Sequence, residues 1–493
     1  VHPQSARGRK LTVRGGAAAR GFPNVKLFSR YVTLRLDAGR SRGQRLAQGG
    51  PSLAQEGRAL TQGKPSLAQH RPFQIAIKGL SDIVGKAVTL VITIVAARTL
   101  VADAFGVMAL AMATGWLLGV ATDAGLSMHL ARETARRRGQ DRQLLIEVLR
   151  LRAGLAYVAA TMIAFFTPQI VPPHWKMQFV LVVLAQLTGA IVETVAHYFR
   201  GIGRSEIESA IHASHRIATL ALAMIVLLWW PRLDYLGAAL LIPAVIALLA
   251  AVGISWRLSN AGQETHAVRE VDTVRATLIT LPGFVRDILP LGLGVLISAL
   301  YFRIDVYFIE RWQGLEAVGG YNAVFRLVEA TRLVPAAVMA VTFPLLVQAR
   351  DTRLVQRVGA ALAIAGVAVA IACSLGSPLI VSLIYGQPYL YTAPTLAILA
   401  LAVPLFFLNY ALTHQVIGWD GQRSYLLIAS LALVANVAAN FVLVPSRGMS
   451  GAAIATLLTE VVVTAGCLYS LRVQDAGASR RLGTAIQHEG SAQ

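Results

Sequence analysis

"YFRIDVYFIERW", residues 301–312, follows thirteen residues that are almost all apolar, and it sets Arg303 and Asp305 inside what otherwise reads as a membrane span. A charge near the bilayer centre costs roughly 3 kcal/mol on insertion scales, so such residues face a protein interior, a partner or a water-filled path. The two are separated by one position, so on a helix they point to different sides and cannot satisfy each other. At least one needs a partner from another helix or from water. What surrounds this span decides which.

Working outward, 55% of the 493 residues are hydrophobic and 14% charged, with a mean hydropathy of +0.59, far above what a water-soluble surface tolerates. A helix crosses the hydrocarbon core with about 20 apolar residues. From Phe73 onward such stretches follow one another at 73–99, 104–129, 149–170, 177–199, 209–230, 235–256, 286–310, 319–347, 357–384, 393–418, 423–445 and 449–471. The expected fold class is an all-α multi-pass membrane protein of about twelve transmembrane helices. The polar segment 257–285 divides it into a first lobe, residues 73–256, and a second, residues 286–472, each of six helices.

The net charge of +20 has two sources. Residues 1–72 carry 14 Lys and Arg against Asp37 and Glu56, and "PSLAQ" occurs in them at 51–55 and again at 65–69. They read as a disordered basic tail without a signal peptide's order of segments, the alternative being a juxtamembrane patch for anionic lipid or nucleic acid. The remaining charge alternates by loop. Connections after even-numbered spans, with the C-terminal tail 473–493, carry 20 Lys and Arg, seven of them in "ARETARRRGQDRQLLIEVLRLR" (131–152). The other side has five: Arg98, Lys176, Arg232, Arg311 and Arg447. The positive-inside rule then puts both termini in the cytoplasm. Cys373 and Cys467 lie far apart in apolar stretches and imply neither a disulfide framework nor a metal site.

The halves also match in register. Pro231, Gly237, Ala238 and Ala239 correspond to Pro445, Gly451, Ala452 and Ala453, and Arg98, Ala104 and Gly106 to Arg311, Ala317 and Gly319. His197 and Gly201 likewise pair with His414 and Gly418. An even number of helices per repeat keeps both copies in one orientation. The lobes should therefore be related by a pseudo-twofold axis along the membrane normal, with a midplane cavity between them.

Two stretches carry a family resemblance: "ARTLVADAFGVMALAMATGWLLGVATDAGLSMHLARETAR" (97–136) and "YFRIDVYFIERWQGLEAVGGYNAVFRLVEATRLVPAAVMAVTFPLL" (301–346). The second holds an Arg-x-Asp pair, a Gly-x-Tyr opening the next helix and a Phe-Pro near its end. They resemble bacterial polysaccharide flippases of the MOP superfamily, the Wzx-type group, over about residues 73–472. The resemblance implies a transporter that moves undecaprenyl-pyrophosphate-linked oligosaccharide from the cytoplasmic to the periplasmic leaflet of the inner membrane. Membrane lipids are its surroundings, polysaccharide polymerase and export machinery its expected partners, and H⁺ or Na⁺ its candidate coupling ions. It implies no cofactor and no nucleic acid.

Six cations and six acids lie within the spans more than four residues from either end. Lys78, Asp82 and Lys86 form one stripe at i, i+4 and i+8, and Arg326, Glu329 and Arg332 another at i, i+3 and i+6. Lys86, Arg216, Arg303, Arg326 and Arg332 are the candidate substrate-binding residues, because an arginine fork donates charge-assisted hydrogen bonds to phosphate oxygens. Asp82, Asp305, Glu329 and Glu460 are candidates for ion coupling or structural pairing. Interhelical pairs such as Arg303 with Glu329 or Arg326 with Asp305 would give the same sequence. Arg303 is expected to face the path of an anionic headgroup and Asp305 to hold its helix against neighbours. Asp123 in "ATDAGLS" reads as a packing or capping residue, and Pro243, Pro290, Pro335, Pro344 and Pro404 read as kinks or hinges. The alternatives are a MATE-type cation or drug antiporter, which would favour acidic and aromatic cavity residues, and a membrane glycosyltransferase or polymerase. The longest outer connection, near "YGQPYLYTAPT" (385–395), is short for such an enzyme.

Overall fold

The computed structural model describes residues 85–136, 141–264, 289–349 and 352–490. The tail 1–72, Lys78, Asp82 and most of the polar segment 257–285 lie outside them. Every long element is a helix, and there is no strand among the described residues. In order they are α1 (residues 85–99), α2 (Ala102–Asp123), α3 (Leu126–Arg136), α4 (Asp141–Ile170), α5 (Lys176–Gly201), α6 (Ser205–Trp229) and α7 (Leu233–Glu264). Then come α8 (Leu289–Arg303), α9 (Asp305–Thr331), α10 (Leu333–Ala349), α11 (Thr352–Leu375), α12 (Ser377–Ile384), α13 (Ala393–Ala400), α14 (Val403–Gly418) and α15 (Gln422–Gly490).

Large apolar side chains stand exposed on the outside, among them Leu375 at 81% and Tyr157 at 74%. Water would not tolerate them, whereas lipid does, and helices keep every backbone hydrogen bond internal there. The chain is a multi-pass membrane protein. Trp229, Trp230 and Tyr235 are exposed around the α6–α7 turn, where an aromatic belt meets the headgroups.

Among the described residues, eight helical stretches are long and apolar enough to cross a membrane, or nine with the bent pair Gln387–Ala400 and Val403–Gly418, which meet at 44°. Two of the eight, Leu289–Phe343 and Gln422–Gln474, have 55 and 53 residues. At 1.5 Å per residue each is about 80 Å of helix, more than twice a hydrocarbon core of about 30 Å. Each is broken at a glycine with positive φ, Gly314 (φ 84°) and Gly448 (φ 57°), where an L side chain would be strained. The two breaks touch: Gln313 accepts a 2.9 Å hydrogen bond from the Met449 amide.

Several spans also end differently from the sequence expectation. The stretch 104–129 breaks at Ala124 and Gly125, both at positive φ, so the second half of "ATDAGLS" starts a new helix. Two of the five prolines, Pro335 and Pro404, lie in the first turn of α10 and α14, where a missing N–H leaves no intrahelical bond unmade. Pro243 is inside α7. The C-terminal tail 473–493 continues α15 as helix to Gly490.

Packing distinguishes the two ends of the bundle. One large core joins residues of both halves, from Ala104–Ala113 of α2 and Phe179–Leu187 of α5 to Val318–Val328 of α9 and Ala452–Ala453 of α15. A second holds only first-half residues, including Leu126, Leu144, Val192 and Ala251, and a third only second-half residues, including Leu412, Ile428 and Cys467. By helix direction the two separate cores lie toward the arginine-rich loops and the shared core mainly toward the opposite end. Along one flank the halves stay in contact. A Cβ on Gly106 would lie 2.0 Å from the Leu315 carbonyl oxygen, and one on Gly292 2.5 Å from that of Ala124. Thr114 and Tyr307 are hydrogen-bonded at 2.8 Å between them.

Candidate functional site

Arg303 and Asp305 diverge, as the one-residue separation requires. Arg303, only 4% exposed, donates from Nη2 to Glu329 Oε2 at 2.9 Å, and its guanidinium lies 4.5 Å from the Phe325 ring centroid. Arg326 Nη1 donates to the same Oε2 at 2.7 Å. Of the two pairings open in the sequence, Arg303 with Glu329 is therefore formed and Arg326 with Asp305 is not. Asp305 is buried on the other side, where it accepts the Tyr321 hydroxyl and, at 2.9 Å, the Val306 amide. Tyr321 Oη is in turn 3.5 Å from Thr456 Oγ1 on α15. This contact chain ties α9 to α15.

Arg332 completes the cluster differently. Its guanidinium lies over Phe302 at 4.6 Å and Phe406 at 5.4 Å. No carboxylate of the described residues lies within 4 Å of it, although Glu329 and Glu460 are within electrostatic reach. Phe302 also meets Trp116 of α2 at 6.5 Å, Phe325 at 5.1 Å and Phe406 at 6.2 Å, so the cluster adjoins the boundary between the halves. Counting the one carboxylate in direct contact, Glu329, the three guanidinium groups leave two formal positive charges there, with Asp305 and Glu460 farther off. Guanidinium faces resting on aromatic rings leave their N–H edges free to donate.

The other candidates are elsewhere. Lys86 is exposed at the start of α1 and Arg216 is half-buried on α6, with Arg216 Nε 3.4 Å from where a Cβ on Gly85 would stand. These two first-half cations are thus brought together toward the arginine-rich end. Glu460, 4% exposed, receives the Asn409 amide at 2.7 Å on its carboxylate and at 3.0 Å on its backbone carbonyl. Thr464 donates to Asn409 at 2.8 Å, fixing that amide. Among the described residues no cation is within 4 Å of the Glu460 carboxylate.

One intramembrane charge escaped the sequence reading. Arg152, counted there with the loop arginines, is 2% exposed and pairs through Nη1 with Asp123 Oδ1 at 2.8 Å. Its Nη2 donates to the Gly119 carbonyl at 2.9 Å. The signal was available: Leu144, Leu145, Val148 and Arg152 share one helical face, and all four are buried. Asp123 does cap as expected, accepting from the Ser127 amide at 3.3 Å, but it is also the partner of this buried cation. Glu193 is engaged by His212 at 3.3 Å and His197 at 3.7 Å.

A comparison with curated protein sequences returns no match. Among solved structures the chain is similar to an inward-facing multidrug resistance MATE family transporter of the MOP superfamily, with TM-score 0.61 and 16% identity over 80% of this chain and 96% of that one. It is equally similar to the lipid II flippase MurJ in an inward closed conformation, with TM-score 0.61 and 11% identity over 80% of this chain and 87% of that one. A MOP superfamily transporter from Pyrococcus furiosus, described by a binding pocket of reverse polarity, aligns with TM-score 0.51 and 15% identity over 81% and 95%. Identities this low establish the fold, which is that of the MOP superfamily transporters. Residues 74–350, more than half of the chain, match the family model described as polysaccharide biosynthesis protein, and the chain belongs to that family.

Proposed function

We propose that the protein flips undecaprenyl-pyrophosphate-linked oligosaccharide from the cytoplasmic to the periplasmic leaflet of the bacterial inner membrane by alternating access. The observation that carries this reading is the doubly positive cluster of Arg303, Arg326 and Arg332 around Glu329, set against aromatic faces beside the boundary between the halves. A diphosphate leaving the headgroup region needs fixed cations that are not each neutralised by their own carboxylate. Arg332 meets that condition best; Arg303 and Arg326 are held in place by Glu329. Lys86 and Arg216 would take the headgroup first, at the cytoplasmic end.

Twelve crossings in two lobes, 73–256 and 286–472, with both termini cytoplasmic, complete the proposal. The shared outer core and separate inner cores support an inward-facing resting state in which the hydrated cavity admits the sugar and the isoprenoid tail stays in lipid. Outward opening would then part the seam at Gly106 and Leu315. Polymerase and export machinery would receive the product on the far side.

A second reading, a MATE-type cation antiporter, draws support from Glu460, a buried carboxylate held by an amide and not by a cation. The same residue is the coupling candidate for H⁺ or Na⁺ in a flippase. Titrating the full chain in lipid nanodiscs with inorganic pyrophosphate and with ethidium separates the two. Pyrophosphate binding that weakens in Arg332→Ala supports the flippase. Ethidium binding lost in Glu460→Gln, with no pyrophosphate binding, would replace it.

A further inference from the structure

We infer that a second pocket, at the end of the bundle opposite the arginine-rich loops, binds the saccharide part of the cargo, a proposal that rests on the flippase reading. The pocket is about 630 Å³, within the range of ligand sites, and is walled by the α1–α2 turn, the start of the helix after Gly314 and the segment after α12. Six side chains define its chemistry: Arg98, Glu316, Tyr385, Gln387, Tyr389 and Tyr391.

The wall is a built one. Gly386, at φ 95°, turns the chain out of α12 in a conformation that a side chain would strain. Thr392 donates back to the Tyr389 carbonyl at 2.8 Å, and Tyr385 donates to the Ala323 carbonyl at 2.8 Å. The three tyrosine rings follow one another, Tyr385 to Tyr389 at 5.7 Å and Tyr389 to Tyr391 at 6.4 Å. Tyr391 at the rim is 46% exposed, and Glu316 and Gln387 are exposed beside it.

That chemistry selects among ligands. Arg98 donates from Nη2 to the Leu383 carbonyl and from Nε, at 2.7 Å, to the Ile384 carbonyl, the last carbonyls of α12, which fixes its guanidinium against that helix end. One carboxylate and one cation cancel in formal charge, and a single carboxylate is too few ligands for a divalent ion. Tyr385 and Tyr389 are buried, at 2% and 8% exposure, and back the Tyr391 ring, whose face with the Glu316 carboxylate and the Gln387 amide beside it suits a neutral ring with apolar C–H faces and a rim of hydroxyls, which is a pyranose. Its walls come from both halves beside the seam at Gly106 and Leu315, so the glycan would meet it as the cavity opens outward.

Saturation-transfer difference NMR on the full chain in nanodiscs, with free cellotetraose, maltotetraose and chitotetraose as probes, tests the site. At least one should bind, weaken about tenfold in Tyr391→Ala and be retained in Tyr391→Phe, the loss expected when one aromatic anchor is removed. No binding by any of the three, or binding unchanged in both Tyr391→Ala and Glu316→Gln, would overturn the site. Translocation of lipid-linked oligosaccharide by the intact chain is scored in parallel. Translocation without saccharide binding removes the pocket alone, whereas Tyr391-dependent binding without translocation removes the flippase reading and leaves the pocket.

Discussion

Arg303 and Arg332 belong to one cluster but hold different positions in it, and truncating each should therefore fail in a different way. Arg303 is 4% exposed and bound to Glu329. Its loss removes a buried ion pair and leaves a void beside Phe302 and Phe325, while Glu329 keeps Arg326 and is not orphaned. Breaking a buried pair outright costs about 3–5 kcal/mol; with the carboxylate still paired, Arg303→Ala should cost roughly 2–3 kcal/mol. Arg332 has no carboxylate in contact and forfeits two aromatic contacts and a longer-range attraction to Glu329 and Glu460, roughly 1 kcal/mol in all. For binding the order reverses. A charge-assisted hydrogen bond to an anion contributes about 1.5–3 kcal/mol, so Arg332→Ala should weaken pyrophosphate binding roughly ten- to 150-fold. Thermal unfolding and pyrophosphate titration on the same nanodisc samples give both numbers. Arg332→Ala binding pyrophosphate as the intact chain does, or Arg303→Ala unfolding at the unchanged temperature, would refute the assignment.

Three other outcomes follow from the geometry. Asp123→Ala strands the Arg152 cation with only backbone carbonyls for partners and should cost about 3 kcal/mol in thermal unfolding, most of it returned when Arg152→Met is added. Gly106→Ala puts a methyl group 2.0 Å from the Leu315 carbonyl oxygen, so α2 and α9 must separate; a loss of about 1–3 kcal/mol or more is expected, read by the same assay. Glu460→Gln keeps an acceptor for Asn409 and should unfold within about 1 kcal/mol of the intact chain. Its translocation should no longer respond to an imposed H⁺ or Na⁺ gradient, measured in proteoliposomes.

Hydropathy made the helical membrane fold legible because lipid imposes one strong rule, about 20 apolar residues per crossing. Where helices break was less legible. Ala124 takes a left-handed conformation that its residue type does not announce, whereas Gly125, Gly203, Gly314, Gly386 and Gly448 carry a local signal. The divergence of Arg303 from Asp305 followed from helical geometry alone, but which partner each found depended on Glu329 and Tyr321, both on the next stretch of chain. Arg152 was hidden by its neighbours: counted with a basic loop, it lost the periodicity that places it on a buried face. The tyrosine pocket could not be read at all, since Arg98 and Ile384 are brought together across 286 positions.

The most direct test of the account is the rate at which labelled undecaprenyl-pyrophosphate oligosaccharide reaches the opposite leaflet of proteoliposomes, for the intact chain beside Arg303→Ala and Arg332→Ala. Translocation by the intact chain that collapses in folded Arg332→Ala is the predicted result. Full translocation by both variants, or transport of an organic cation in place of the lipid, would contradict it.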